Sequence, residues 1–177
     1  MWRRRTAPKD ESEREIKDVA KARERTMNRA VKLLAAKPRS IGELRERLLE
    51  KSWTNSEIVN SVIEKLEEYK YLDDQKFAAD LALSKLRQKP QGKRRLQQSM
   101  SRKKLDRETL DTAIGEAFEK MPEAELIDLS IEKRLRLKGR PETREDTKKF
   151  YDYLLRQGFG FDLIREKMSA IAKLPDE

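Results

Sequence analysis

Large apolar residues recur at the same relative positions in three stretches of the chain. The second copy lies 52 residues after the first and the third 54 residues after the second, and no copy needs a gap. The aligned sets are Leu44, Leu48, Trp53, Ile58, Val62 and Leu66; Leu96, Met100, Leu105, Leu110, Ile114 and Phe118; and Phe150, Leu154, Phe159, Ile164, Met168 and Ala172. Seventeen of these eighteen residues are large and apolar in a chain that is 36% hydrophobic. A period of about this length is typical of tandem structural repeats.

Within each copy, the spacing predicts two helices joined by a short turn. The first two apolar positions are one helical turn apart, and the last three follow the same period. The residue between the two groups is predicted to be a structural plug that fills the helix junction, and these plugs are Trp53, Leu105 and Phe159. The predicted N-caps are Ser40 with Glu43, Thr54 with Glu57, and Asp106.

A further amphipathic helix precedes each copy. Its apolar stripe runs over residues 16–34, 74–88 and 122–138, and proline or glycine follows each stripe within four residues. Strand-like alternation of β-branched residues is missing. We therefore predict an all-α protein of three tandem three-helix, helix-turn-helix-like repeats. Because units this small bury little surface alone, we expect neighbours to pack into an elongated, curved arrangement.

The repeats imply the domain boundaries. The predicted units are residues 12–72, 73–121 and 122–177, and the second is the basic one. Residues 1–11 mix charge with little apolar content, so a disordered basic tail carrying an exposed Trp2 is expected there. The role of this N-terminal extension is left open.

Composition excludes much catalytic chemistry. The 177 residues contain neither cysteine nor histidine, so thiolate nucleophiles, imidazole bases and cysteine- or histidine-based metal sites are impossible. Phosphate-binding glycine loops are missing, and the adjacent Asp73 and Asp74 are interpreted as helix capping rather than a metal pair. We expect no catalytic residue, metal or cofactor. No apolar run approaches the roughly 18 residues of a membrane span, so a cytoplasmic protein without a membrane partner is expected.

Positive charge concentrates in the middle repeat. The formal net charge is +9, and residues 81–105 contain no acidic residue. The predicted DNA- or filament-binding residues are Lys85, Arg87, Lys89, Lys93, Arg94, Arg95, Arg102, Lys103 and Lys104. A merely solvated helix face is the alternative, but such faces usually interleave acids, as residues 43–50 do. The pattern favours binding of a nucleic-acid phosphate backbone.

Base-specific recognition of duplex DNA is a weaker interpretation. Helix-turn-helix modules place their second helix in the major groove. Here the corresponding residues 56–70 contain four glutamates, which would repel phosphates.

Three segments carry a resemblance to a known family: LRERLLEKSW at residues 44–53, YLDDQKFA at residues 71–78 and YLLRQGFGFDLIR at residues 153–165. In order and spacing they resemble the bacterial regulatory protein family RecX over residues 27–172. The resemblance implies three tandem three-helix repeats and no catalysis. It further implies a modulator of the RecA recombinase that binds the RecA filament on single-stranded DNA. Such proteins inhibit the ATP hydrolysis, strand exchange and co-protease activity of RecA, in DNA repair and the SOS response.

The chain departs from the family pattern at three turns. Ser52, Lys70 and Lys104 stand where the family often has glycine, whereas Gly158 keeps the pattern. A non-glycine residue in a left-handed turn costs roughly 1 kcal/mol, so the capping of the first two repeats is placed in doubt.

Two other functions remain open: a stand-alone DNA-binding or nucleoid-type protein that also takes duplex DNA, and a helical scaffold. Filament capping, groove blocking and displacement of RecA are not distinguished. A monomer is expected because spare apolar surface is scarce. The residues that contact RecA are not identified, since Tyr69, Tyr71, Tyr151 and Tyr153 fit a core or an interface equally.

Overall fold

The computed structural model describes residues 14–173, and side chains as far as residue 171. The predicted tail at residues 1–11, with Trp2, lies outside the described residues, as does Ser12. The described part contains nine α-helices, one short 3₁₀ turn and no strand, which confirms the all-α prediction. The helices are α1 Val19–Ala36, α2 Ile41–Leu49, α3 Ser56–Glu68, α4 Asp74–Gln88, α5 Lys93–Met100, α6 Arg107–Lys120, α7 Glu123–Lys138, α8 Arg144–Arg156 and α9 Phe161–Lys173, with the 3₁₀ turn at Ser101–Lys103. Successive sets of three helices are the three predicted tandem repeats.

The described residues group into two compact units. The first unit contains the described residues as far as Phe77 together with Lys103–Leu105. The second unit contains Ala78–Arg102 and the described residues from Asp106 onward. This division runs through the second repeat, whereas the predicted boundaries follow the sequence period.

The first unit has a core built from α1, α2 and α3. The apolar faces of these amphipathic helices meet because they carry leucine, isoleucine and valine at helical spacing. The buried cluster consists of Ala30, Leu44, Leu48, Val59, Val62, Ile63, Leu66 and Leu72. Trp53 is half-buried at the edge of this unit, where the Arg25 guanidinium lies 4.5 Å from the ring centroid. The predicted plug position therefore also carries a cation–π contact.

The helix caps follow the sequence in two cases and differ in one. Ser40 Oγ accepts a hydrogen bond from the Glu43 N–H, and Asp106 caps α6 as predicted. The prediction that Thr54 caps α3 is wrong. The cap is Asn55, whose Oδ1 accepts from the Ile58 N–H at 3.0 Å. Thr54 is instead buried, and its hydroxyl meets that of Thr26.

Each repeat has a left-handed turn after one of its helices. Of the three positions where this chain lacks the glycine of the family pattern, two adopt the left-handed conformation. Lys70 has φ 59° and Lys104 has φ 55°, while Gly158 has φ 90°. Ser52 is not among the described residues with positive φ. The departure from glycine thus introduces backbone strain at Lys70 and Lys104.

The same junction occurs once in each unit. In the first unit, Ser40 Oγ donates to the Lys103 carbonyl, and a Cβ on Gly42 would lie 2.5 Å from Lys104 O. In the second unit, the Gly92 N–H donates to the Gln157 carbonyl at 2.9 Å. Adding 52 to Ser40 gives Gly92, and adding 54 to Lys103 gives Gln157. In each unit, the start of a short helix, α2 or α5, therefore contacts a left-handed turn, and the two contacts are at equivalent positions of the repeat.

The second unit packs the remaining apolar positions of the repeat. Phe159 is buried, whereas Leu105, the plug of the second copy, is half-buried and belongs to the first unit. The large buried side chains of the second unit are Leu86, Leu96, Met100, Leu110, Ile114, Leu126, Ile127, Ile131, Phe150, Leu154, Phe159 and Ile164. Within residues 14–173, no helix is long and apolar enough to cross a membrane.

Candidate nucleic-acid interface

The predicted basic residues fall into three settings, of which the first is the end of α4. Lys85 and Arg87 lie in the last turn of this helix, and Lys89 follows it. Cations at a helix C-terminus are favoured by the helix dipole. Arg87 and Lys89 are exposed and Lys85 is half-buried. The helix dipole therefore stabilises these three charges without a ligand, so their position alone does not indicate an anion site.

The second setting is the first turn of α5. Lys93, Arg94 and Arg95 lie at the positive end of the helix dipole, where cations are electrostatically unfavourable. One carboxylate offsets part of this cost, because Glu123 Oε1 accepts from the Lys93 backbone N–H at 2.9 Å. Helix stability alone does not explain these arginines, which favours a role in binding an anion.

Arg95 is tied into the protein. Its Nη1 donates to the Arg156 carbonyl at 2.7 Å and to Gln157 Oε1 at 3.3 Å. The first of these bonds uses a backbone carbonyl that the end of α8 leaves without a helical partner. Arg95 thus holds the start of α5 against the end of α8 and leaves part of its guanidinium facing the cleft between them.

The space between α5 and the end of α8 is an open cleft of about 490 Å³. We call it the arginine cleft, and its lining residues are Arg94, Arg95, Gln98, Ser99, Arg102, Leu155, Arg156 and Gly158. No acidic residue lines it. Arg94, Arg102 and Arg156 form no ion pair with any described residue. Several guanidiniums without counter-charge have the chemistry that favours phosphate oxygens as ligands.

The sequence interpretation missed Arg156 because it lies outside the acid-free stretch. The repeat contains a signal that points to it, since adding 54 to Arg102 gives Arg156. The equivalent residue of the first repeat is Glu50, so the arginines are a property of the second and third repeats. Gln98 and Ser99, which lie on α5 between Arg95 and the Arg102 of the 3₁₀ turn, were missed as well.

A second cleft in the same unit combines basic and acidic side chains. It also measures about 490 Å³ and includes Arg134, Lys138, Arg140 and Lys149. Glu142 and Asp146 line it too. A hydrogen bond from Thr143 holds the pKa of Asp146 below its usual range, which keeps that carboxylate charged. The two acids offset part of the positive charge of this cleft, whereas no acid lines the arginine cleft, so the arginine cleft is the better candidate for binding an anion.

The third setting is that of Lys103 and Lys104, for which the acid-free local sequence indicated no counter-charge. In the first unit, Lys103 Nζ lies 3.0 Å from Glu43 Oε1, and Lys104 Nζ lies 2.5 Å from Glu46 Oε1. The hydrogen bond and charge of Lys104 hold the pKa of Glu46 below its usual range. The acids precede these lysines by about sixty residues, so a count along the local sequence did not include them. Lys103 and Lys104 are already paired.

Asp73 and Asp74 bind backbone amides. Asp73 Oδ1 accepts from the Lys76 N–H at 2.9 Å, and Asp74 Oδ1 accepts from the Ile41 N–H at 2.9 Å. Across residues 14–173, no group of three or more aspartate, glutamate, cysteine or histidine residues could hold a metal ion. Among the described residues, the arginine cleft is therefore the strongest candidate for a functional site.

Comparisons with known proteins agree on one family. Three family models match the chain in order: the first three-helix domain of RecX at residues 27–66, the second at residues 73–114 and the third at residues 123–168.

Individual relatives carry the same name. The regulatory protein RecX of Chlorobium limicola is 33% identical over 143 residues, 80% of this chain and 86% of that protein. The Bacillus subtilis protein of the same name is 30% identical over 150 residues, and the match covers 85% of this chain but 56% of the Bacillus protein. The crystal structure of RecX from Lactobacillus salivarius has a TM-score of 0.76 over 88% of this chain and 99% of that chain; at 19% identity it supports the fold alone. The chain belongs to the RecX family of regulatory proteins.

Proposed function

We propose that this protein is a non-catalytic regulator of the RecA recombinase. It binds the RecA filament on single-stranded DNA and inhibits ATP hydrolysis, strand exchange and co-protease activity, acting as a monomer in the cytoplasm. The family resemblance supports the choice of RecA. The single observation that carries the binding mode is the arginine cleft, whose arginines meet no acid in the lining. The cleft would hold the phosphate backbone of the strand inside the filament.

The regulatory role is tested by single-stranded-DNA-dependent ATP hydrolysis by RecA. Substoichiometric amounts of this protein are expected to suppress hydrolysis, because a molecule that blocks a filament acts on many protomers. Unchanged hydrolysis, together with salt-sensitive binding to bare DNA, would favour a stand-alone DNA-binding protein instead. The arginine cleft supports that second candidate too, since it needs no partner protein to bind phosphate.

The cleft itself is tested by the double variant Arg94→Ala/Arg102→Ala. Both side chains are exposed and make no ion pair among the described residues, so the fold should be unaffected. Loss of two phosphate contacts should weaken binding to a single-stranded oligonucleotide by roughly tenfold or more. The slope of log affinity against log salt should become shallower by roughly 1.4. Fluorescence anisotropy in a salt series measures both quantities.

The matched control removes the same charge from α7. Lys133→Ala/Arg136→Ala alters two exposed cations that also lack ion pairs among residues 14–173. This variant should keep nearly the parental affinity and slope. If both double variants weaken binding equally, net charge rather than the arginine cleft accounts for the affinity.

A further inference from the structure

Two tyrosines at the end of α3 are exposed. Tyr69 has 58% of its surface accessible, and Tyr71 has 72%. The value for Tyr71 is the largest among the large apolar and aromatic residues that the structure describes. Lys70, between them, has the left-handed backbone that glycine would adopt more easily. We call Tyr69, Lys70 and Tyr71 the tyrosine turn. The structure thus separates Tyr69 and Tyr71 from Tyr151 and Tyr153, which are half-buried.

The tyrosine turn is held rigidly by backbone hydrogen bonds. The Tyr71 N–H donates to the Leu66 carbonyl at 2.8 Å, and the Lys70 N–H donates to the Glu67 carbonyl at 2.9 Å. This is the Schellman arrangement, in which the residue at the Tyr71 position commonly packs its side chain back onto the helix. Here Leu72 is buried against the core instead. The Tyr71 ring is therefore not used in the core, and it is exposed on a backbone that hydrogen bonds hold in place.

The surroundings of the tyrosine turn are acidic. Residues 64–76 contain five acidic and three basic residues. Glu67, Glu68 and Asp73 are exposed and make no ion pair with any described residue. Tyrosine rings in a basic groove would favour stacking on nucleobases, but a surplus of carboxylates repels phosphates. The charge is opposite to that of the arginine cleft and favours a protein partner with lysine or arginine side chains.

We propose that the tyrosine turn is a docking surface for a basic face of a partner protein. Tyrosine anchors interface hot spots because it buries a large ring at low entropic cost and keeps a hydroxyl for hydrogen bonding. Lysine or arginine of the partner would lie over the rings and pair with the flanking carboxylates. Resting on the proposed function, the partner is RecA itself, bound through protein contacts, while the arginine cleft takes the DNA.

The experiment compares two activities in one variant. Tyr69→Ala/Tyr71→Ala is expected to need roughly tenfold or more protein to suppress RecA ATP hydrolysis. Its affinity for a bare single-stranded oligonucleotide should match that of the parent. A charge-reversed variant, Glu67→Lys/Glu68→Lys, tests the acidic rim independently: it should also inhibit hydrolysis more weakly, while its oligonucleotide affinity should not fall. Circular dichroism melts verify that both variants fold.

The matched control is Leu137→Ala, which removes another exposed apolar side chain, 66% accessible. It should suppress hydrolysis as the parent does. Full inhibition by the tyrosine variant, with the parent active, overturns the docking surface and leaves the regulatory role standing. An equal loss of oligonucleotide affinity would overturn it in favour of base stacking. A parent that neither inhibits nor binds RecA overturns both proposals.

Discussion

Replacing Phe159 by alanine is expected to destabilise the second unit by about 3–5 kcal/mol. The ring is 3% exposed and lies between α8 and α9, at the turn that contains Gly158. Its removal leaves a cavity, because the backbone around it is fixed by the bonds from Gly158 N–H to Leu155 O and from Gly92 N–H to Gln157 O. When the surrounding structure cannot close the cavity, the protein loses the free energy of burying the ring and also the van der Waals contacts that the ring made with its neighbours.

Urea and thermal unfolding followed by circular dichroism measure this effect. A loss of this size should lower the melting midpoint of the second unit by more than roughly 10 °C. The neighbouring variant Phe161→Ala is the control, since Phe161 is 58% exposed. It should change stability by well under about 1 kcal/mol. Equal midpoints for the two variants would contradict the assignment of Phe159 as the buried plug.

Replacing Gly92 by alanine is the second large effect, and we expect a loss of about 3 kcal/mol. A Cβ on Gly92 would overlap the Gly158 carbonyl and the Phe159 nitrogen. These are backbone atoms, so no side-chain rotation relieves the overlap, and the bond from Gly92 to Gln157 would be strained. The start of α5 must then move away from the end of α8.

This variant also tests how the arginine cleft is built. Arg94 and Arg95 follow Gly92 directly, and Arg156 lies on the other wall. Separation of the walls should weaken single-stranded DNA binding together with stability. Gly115→Ala is the control: Gly115 is inside α6, and nothing lies within 4 Å of its added Cβ. Alanine there should stabilise the protein by about 1 kcal/mol without changing DNA affinity. An unaffected Gly92→Ala would contradict the close junction, and a destabilised Gly115→Ala would contradict the open surroundings of Gly115.

The junction explains why the arginine cleft needs two repeats. One wall is α5 of the second repeat and the other is the end of α8 of the third, and Arg95 bridges them through the Arg156 carbonyl. An isolated repeat of either kind would present only part of the arginine set. The repeat architecture therefore places cations from distant segments around one ligand-sized space, which no single helix provides.

The predictions made from the sequence pattern agree with the structure where the feature depends on contacts between residues a few positions apart in the chain. Helix spacing depends on contacts three and four residues apart, so the helices and most of the buried repeat positions follow directly. The Ser40 and Asp106 caps involve residues three apart and are correct. Thr54 fails as a cap because a residue 28 positions away, Thr26, holds its hydroxyl in the core. A short window of sequence does not reveal a distant residue that competes for the same hydroxyl.

The sequence by itself determined the all-α class, the three tandem repeats, the family and the concentration of basic residues in the middle of the chain. These rest on periodicity and composition, which are properties of neighbouring residues. Tertiary structure decided which cations are paired with acids and which share one cleft, because it pairs Lys103 and Lys104 with Glu43 and Glu46 and brings Arg156 to Arg94 and Arg102. Charges interact over a few ångströms of space whatever their separation along the chain, so the site is a property of packing.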